Sequence, residues 1–286
     1  MHKYRPHKPP KIVHKPDYSF VNQGTSREEL DLHKTINLIL PGVETIKGDR
    51  TILEGREIDI YIPYFRTGIE YDGLAFHSDT KDPNYHLWKT IAAEKKDVRL
   101  IHIWSDLWNN RRSQVVDYLG KIFGKSNIIP QEECSIIELG KSEGVNFLNK
   151  THIMSCDARA DHFFGVYHNN YLIEVISFKE ENNNWTFLQK AERSTLSIQD
   201  DLKQVLLYIK KNYLINEIRA AVDRSISDAS DLKQIGFKIE GCTPPNPHWS
   251  NYKVRKLQER KTDDQMQSLG YHRFYDCGEL LLKYYS

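Results

Sequence analysis

The stretch REIDIYIPYFRTGIEYDGLAFHSD, residues 56–79, constrains the fold more than any other part of this chain. Ile58, Ile60 and Ile62 alternate with Glu57 and Asp59, and Ile69 and Tyr71 alternate with Glu70 and Asp72. A period of two is the mark of a strand with one buried face, so the segment reads as a hairpin. If PYFR at 63–66 forms a four-residue loop, Ile62 pairs with Thr67, Asp59 faces Glu70, and Glu57 faces Asp72. Opposed side chains in such a pair lie about 4.5–5.5 Å apart, and like charges there destabilise the sheet. Four acids on one face therefore need an explanation. A divalent cation, Mg²⁺ or Mn²⁺, would cancel the repulsion with hard oxygen ligands from Asp59 and Glu70. A solvated polar face partnered by Arg56 and Arg66 explains the same pattern, and both readings stay open at this point.

The rest of the chain sets limits on what such a hairpin can belong to. At 286 residues it can bury one large core or two ordinary ones. No apolar run approaches the roughly 18 residues of a membrane span. The first residues are basic but lack an apolar signal core, so a cytoplasmic protein is expected. Cys134, Cys156, Cys242 and Cys277 lie far apart and form no C-x-x-C pair, so no structural zinc is expected. Net charge is only +1. Contact with a polyanion would rest on two local clusters: Lys3, Arg5, Lys8, Lys11 and Lys15 in the tail, and Lys253, Arg255, Lys256, Arg260 and Lys261 near Trp249 and Tyr252.

Around the hairpin the pattern alternates. Ser26 and Glu29 have capping-box spacing before a helix with Leu32, Ile36, Ile39 and Leu40 on one face. Asp82-Pro83 opens a second helix, VRLIHIW at 98–104 reads as a buried strand, and a helix covers about 111–123. GKSNIIPQEEC then reads as a linker. Beyond it, two strands flank an Asn169-Asn170 turn, another strand follows, and Ile198, Leu202, Val205, Leu206 and Ile209 stripe a helix. The expected division is a basic tail at 1–20, a first domain at 21–126, a linker at 127–143 and an α+β domain at 144–286.

The second helix carries chemistry. His86 and Lys89 lie one turn apart, opposite Leu87, Trp88 and Ile91, and His77 follows Asp72 by five residues. A metal, an imidazole and an ammonium together can activate water and hold a phosphate. His102, inside a strand, reads as a satisfied structural residue.

These residues carry a resemblance. Through SREEL, GREIDIYIP, IEYDGLAFHS, YHLWKT and RLIHIWSDLW, residues 26–108 resemble very-short-patch-repair-like nucleases of the PD-(D/E)xK superfamily, most of all free-standing phage homing endonucleases. The resemblance implies an α/β/α nuclease domain and a metal-dependent DNA endonuclease acting on double-stranded DNA. It implies that Asp59 is the main metal carboxylate, supported by Glu29. It places Asp72 at a position of variable role, His77 near the attacking water, and His86 and Lys89 on a helix facing the scissile phosphate. Glu57 stays on the surface.

Residues 144–286 resemble the C-terminal region of those nucleases, and their element order is similar to an acetyltransferase-like fold. Acyl-CoA binding needs amides that cradle pyrophosphate at a helix N-terminus. ERSTLSIQDD has no glycine there, and Asp200 and Asp201 would repel phosphate. The expectation is a site-specific endonuclease whose second domain selects the site. The alternatives are a mismatch-repair or restriction nuclease, a non-catalytic DNA-binding protein, and an N-acetyltransferase-like protein.

Overall fold

The structure is a computed structural model that describes residues 26–74, 82–198, 200–253, 255–256 and 261–285. In chain order the first elements are α1 (Arg27–Ile39), β1 (Ile46–Leu53), β2 (Arg56–Ile62), β3 (Thr67–Asp72), α2 (Tyr85–Glu94), β4 (Arg99–Trp104), α3 (Ser105–Asn110) and α4 (Arg112–Ile122). They form a four-stranded sheet in the order β1-β2-β3-β4. Three strands run as antiparallel neighbours, and β4 joins β3 in parallel. Ser26 caps α1 by accepting from the Glu29 amide at 3.0 Å, as its spacing requires. Leu32 and Ile36 of α1 and Val115 and Leu119 of α4 pack with Ile60, Ile62, Ile69, Ile101 and Ile103 in one core. Ala93 of α2 packs in a smaller core with Tyr61 and Leu100.

The hairpin has the expected register: Ile62 faces Thr67, and Ile60 faces Ile69. A short 3-10 turn at Pro63–Phe65 makes the loop, closed by Arg66 in the left-handed region. Asp59 turns its Oδ2 to the Tyr71 amide, 2.7 Å away, just beyond the last ladder pair.

The remaining elements are β5 (Asn127–Ile129), β6 (Cys134–Leu139), α5 (Lys141–Thr151), β7 (His162–His168), β8 (Tyr171–Glu181), β9 (Asn184–Glu192), β10 (Leu196–Ile198), α6 (Asp201–Asn212), β11 (Glu217–Asp223), α7 (Ser230–Gln234), β12 (Phe237–Cys242), β13 (Pro247–Ser250), β14 (Arg255–Lys256), α8 (Asp263–Ser268), β15 (His272–Tyr275) and β16 (Glu279–Tyr284). A seven-stranded sheet has the order β12-β16-β11-β9-β8-β7-β6. The expected turn joins β7 to β8, with Asn169 and Asn170 both at positive φ. The segment 127–143, expected as a linker, instead supplies two strands. β5 pairs with β10, and β6 is the outer strand beside β7. Their partners lie tens of residues away, so local composition carries no trace of the pairing.

Within this sheet β9 and β11 are parallel, joined through α6. Their pairing runs only from Asn184–Glu217 to Phe187–Ala220. Both strands continue past that point, and the cleft described below opens there. The mixed α/β fold is thus built on a four-stranded and a seven-stranded sheet, each with a parallel pair, beside the parallel β10-β5 pair and a three-stranded sheet in the order β14-β13-β15. The four-stranded sheet and its core also contact later segments of the chain. The His102 amide of β4 donates to the Ser225 carbonyl at 2.7 Å, and Ile153 and Phe274 enter the first core.

One glycine marks a close approach of helix to sheet. A Cβ on Gly144 of α5 would lie 2.3 Å from Cγ of Phe163, which is fully buried on β7. Gly144→Ala should therefore destabilise the fold by about 1–3 kcal/mol, the usual cost of overpacking. Urea unfolding would measure it, and an unchanged midpoint would show that α5 can move off the sheet freely.

Candidate functional site

Two groups of polar side chains stand out. The first lies between the four-stranded sheet and α2. The helical wheel placed His86 and Lys89 opposite Leu87, Trp88 and Ile91, and the structure buries that His86–Lys89 side together with Thr90 and Ala93. Trp88 points outward, 45% exposed, with Arg56 stacked 3.7 Å from its ring centroid. The inward face is polar because the sheet surface beneath it is acidic. Lys89 forms an ion pair with Glu70. His86 Nδ1 lies 3.3 Å from one oxygen of Asp72, and His102 Nδ1 donates to the other at 2.7 Å. Thr90 Oγ1 donates to the His86 carbonyl, lies 3.0 Å from His102 Nε2 and 3.3 Å from Cys277 Sγ.

Burial governs the charges here. It raises Asp59 well above the usual carboxylate range, helped by the Glu70 carboxylate. Burial works against ionised Asp72 as well, but His86 and His102 override it and hold that carboxyl well below its usual value. Burial opposes a charged His102 too, yet Cys277 and Asp72 raise it well above the ordinary imidazole value. Lys89 is raised despite burial because Glu70 faces it. Glu29 sits at the margin, raised by burial, with Lys47 3.8 Å away. Glu57 is on the surface in an ion pair with Arg50, as expected.

The second group lines a cleft of about 750 Å³ where β9 and β11 separate. Leu188–Glu192 and Ala221–Asp223 form two of its walls, and Arg99, Asp117, Tyr118 and Lys121 from the first sheet's side form another. Its carboxylates are Asp117, Asp157, Glu192, Asp223, Asp228, Asp231, Asp276 and Glu279, against the bases Arg99, Lys121, Arg159 and Lys190. Lys121 pairs with Glu192, and Arg159 with Asp157. Negative charge therefore remains in surplus. Burial pushes Asp223 and Glu279 up, and it pushes His152 down to about 4, so that imidazole is neutral at pH 7. Behind the cleft, Glu174, Glu192 and Asp201 gather around Lys190, which bonds Asp201 Oδ2 at 3.0 Å. None of these was a sequence candidate except Asp201, noted for repelling phosphate. Asp201 stands at the first residue of α6, accepts from the Leu202 amide and is paired with Lys190.

No protein-family profile matches this chain. No curated protein sequence matches it either. Solved structures similar to it include PaiA N-acetyltransferase from Thermoplasma acidophilum in complex with coenzyme A, at 21% identity and TM-score 0.28 over 43% of this chain. The chain spans 60% of that enzyme's length. A GNAT family acetyltransferase from Elizabethkingia anophelis with acetyl-CoA bound shares 13% identity at TM-score 0.34, over 54% of this chain and 99% of its own. A Bacillus subtilis acetyltransferase in complex with CoA shares 14% identity at TM-score 0.34, over 53% and 97%. Likeness at this level leaves the fold to be read from the strands themselves.

These findings correct the expectation of a metal-dependent DNA endonuclease. The similar structures named are acetyltransferases, and nothing found supports a very-short-patch-repair-like or phage homing nuclease. The Mg²⁺ or Mn²⁺ cofactor falls with it. Among the described residues, the clusters able to hold an ion are Asp72, His86, His102 and Glu174, Glu192, Asp201; Asp59 and Glu70 belong to neither. Glu70, Asp72, His86 and Lys89 are 1–5% exposed, so a scissile phosphate has no direct approach to them. Arg255, expected on DNA, is ion-paired with Asp106 at 2.7 Å and lies against Trp104 and Phe274. It ties the three-stranded sheet to α3 and β4. Lys253 is exposed, and its carbonyl accepts from Asn110. Lys256 lies in β14 by its backbone. His77, Lys3, Arg5, Lys8, Lys11, Lys15 and Arg260 lie outside the described residues. Among those described, no helix is long and apolar enough to cross a membrane.

Proposed function

We propose that this chain binds a small amine-bearing molecule in the cleft between β9 and β11, as the acyl-acceptor site of an N-acyltransferase does. One observation carries the reading: surplus carboxylates line the crevice at the carboxyl ends of a parallel strand pair. Open α/β sheets bind ligands at that end, and carboxylates complement a cation. Asp223 and Glu279, both raised by burial, offer acceptors for a proton leaving an ammonium. An unprotonated amine is the nucleophile that acyl transfer requires. The weak point of an acyl-CoA donor is α6, whose N-terminus is occupied by Asp201 instead of open amides.

Thermal melts with spermidine and with arginine amide test the cleft, and thiol release from acetyl-CoA tests transfer. Either amine should raise the melting temperature, and Asp228→Asn with Asp231→Asn should reduce that rise. Amine-dependent thiol release would establish a transferase. Stabilisation by amines without release would leave an amine-binding module. No stabilisation and no release would overturn the reading.

A further inference from the structure

We infer that Asp72, His86 and His102 form a site for one borderline transition-metal ion of the zinc class, placed to tie α2, β3 and β4 together. The inference is independent of the cleft. One ligand atom from each residue lies within 4.8 Å of those of the other two. Two ligands each about 2.0–2.1 Å from a tetrahedral centre lie roughly 3.3 Å apart, and the His86 Nδ1 to Asp72 Oδ1 distance is 3.3 Å. The 2.7 Å contact of His102 with Oδ2 is a hydrogen bond that would open slightly to admit an ion. Two imidazoles and one carboxylate suit zinc, iron or cobalt better than calcium or magnesium.

The surroundings are built as an outer shell is built. Ligating histidines commonly donate their second N–H to a fixed acceptor, which orients the ring. Here Thr90 Oγ1 gives its proton to the His86 carbonyl, so it is free to accept from His102 Nε2 at 3.0 Å. Cys277 Sγ holds the same hydroxyl from the second sheet's side. His86 is wedged edge-on against Trp104 at 4.7 Å and His102 at 5.4 Å between ring centroids. The three ligands are at most 2% exposed. Such a site loads during folding, and exchange from the folded protein is slow.

The test uses the full chain. It is expressed with added zinc, purified without chelator and assayed for metal by mass spectrometry. A second sample is unfolded, stripped and refolded with Co²⁺. The expected results are a single zinc per chain and visible d–d absorption from the Co²⁺ form, abolished when Zn²⁺ is in excess during refolding. Asp72→Asn keeps the side-chain volume and should weaken Co²⁺ binding at least about tenfold. His86→Gln is the second variant should Asp72→Asn fail to fold. Glu174→Gln, at the other carboxylate cluster, should leave the Co²⁺ spectrum unchanged. A wild-type protein with neither bound zinc nor a Co²⁺ spectrum after refolding would overturn the site. So would a full spectrum in Asp72→Asn or His86→Gln.

Discussion

Lys89→Met should destabilise the protein by about 3–5 kcal/mol near neutral pH, the cost of stripping the partner from a buried ion pair. Lys89 is 5% exposed and Glu70 is 3% exposed, so solvent cannot replace the lost ammonium. The damage is concentrated because Asp59 and Asp72 lie close by, and both repel Glu70. Methionine fills the lysine stem's volume, so the loss reports charge and not a cavity. Glu70→Gln in the same chain removes the stranded carboxylate and should recover more than half of the loss. Urea unfolding with chelator present gives both numbers. A loss under about 1 kcal/mol in the single variant would mean that the acidic face is not held by this pair.

Lys190→Met should cost about 1–3 kcal/mol, less than a fully buried pair because about a quarter of the lysine side chain reaches the cleft, and should carry a distinctive pH dependence. Lys190 is raised above the usual lysine value because Asp201, Glu192 and Glu174 outweigh its burial. Burial also opposes ionised Asp201, but Lys190 overrides that and holds it below its usual value. Glu174 is raised well above 4.5 by burial, then by Asp201 and Glu192. A carboxyl raised in the folded state favours folding fully below its unfolded value. It loses that contribution as pH rises through the folded value. In the wild type, Glu174 therefore makes stability fall as pH climbs above about 4.5. Asp201 acts oppositely, losing its contribution as pH falls through its depressed value. Without Lys190 the Asp201 contribution disappears and its carboxyl joins Glu174 in the raised group. The variant should then lose most stability at pH 8 and approach the wild type near pH 4.5. Glu174→Gln in the wild-type background should flatten the decline above pH 4.5 and stabilise by on the order of 1–3 kcal/mol at pH 8. A pH-independent deficit in Lys190→Met would show that packing, not charge, is what the lysine contributes.

The hairpin was legible because strand alternation and loop length are local. Isoleucines every second residue and four residues between Ile62 and Thr67 suffice to set which side chains share a face, and the register follows. The Ser26 cap, the α6 stripe from Leu202 to Ile209 and the Asn169-Asn170 turn are local in the same way and stand where their spacing put them, while Ile198, expected at the head of that stripe, lies in β10. The resemblance of residues 26–108 to nucleases also rested on short motifs in order. Motifs record which residues are present, not whether they reach solvent. In the folded chain α2 lies over the acidic face, and His86, Lys89 and His102 neutralise it from within.

Tertiary structure alone decided the rest, because the partners are far apart in the chain. Asp72 and His102 are 30 residues apart, Thr90 and Cys277 187, and Arg255 and Asp106 149. A helical wheel shows His86 and Lys89 on one side of α2, but only the sheet beneath decides that this side is inside. A C-x-x-C pair is a local pattern, whereas Asp72, His86 and His102 are brought together by β3, α2 and β4. The cleft is still less visible in sequence. It exists because β9 and β11 part after four paired residues and the first sheet's α4 walls the gap. Strand divergence is a property of two segments separated by a helix, and nothing in either segment alone encodes it.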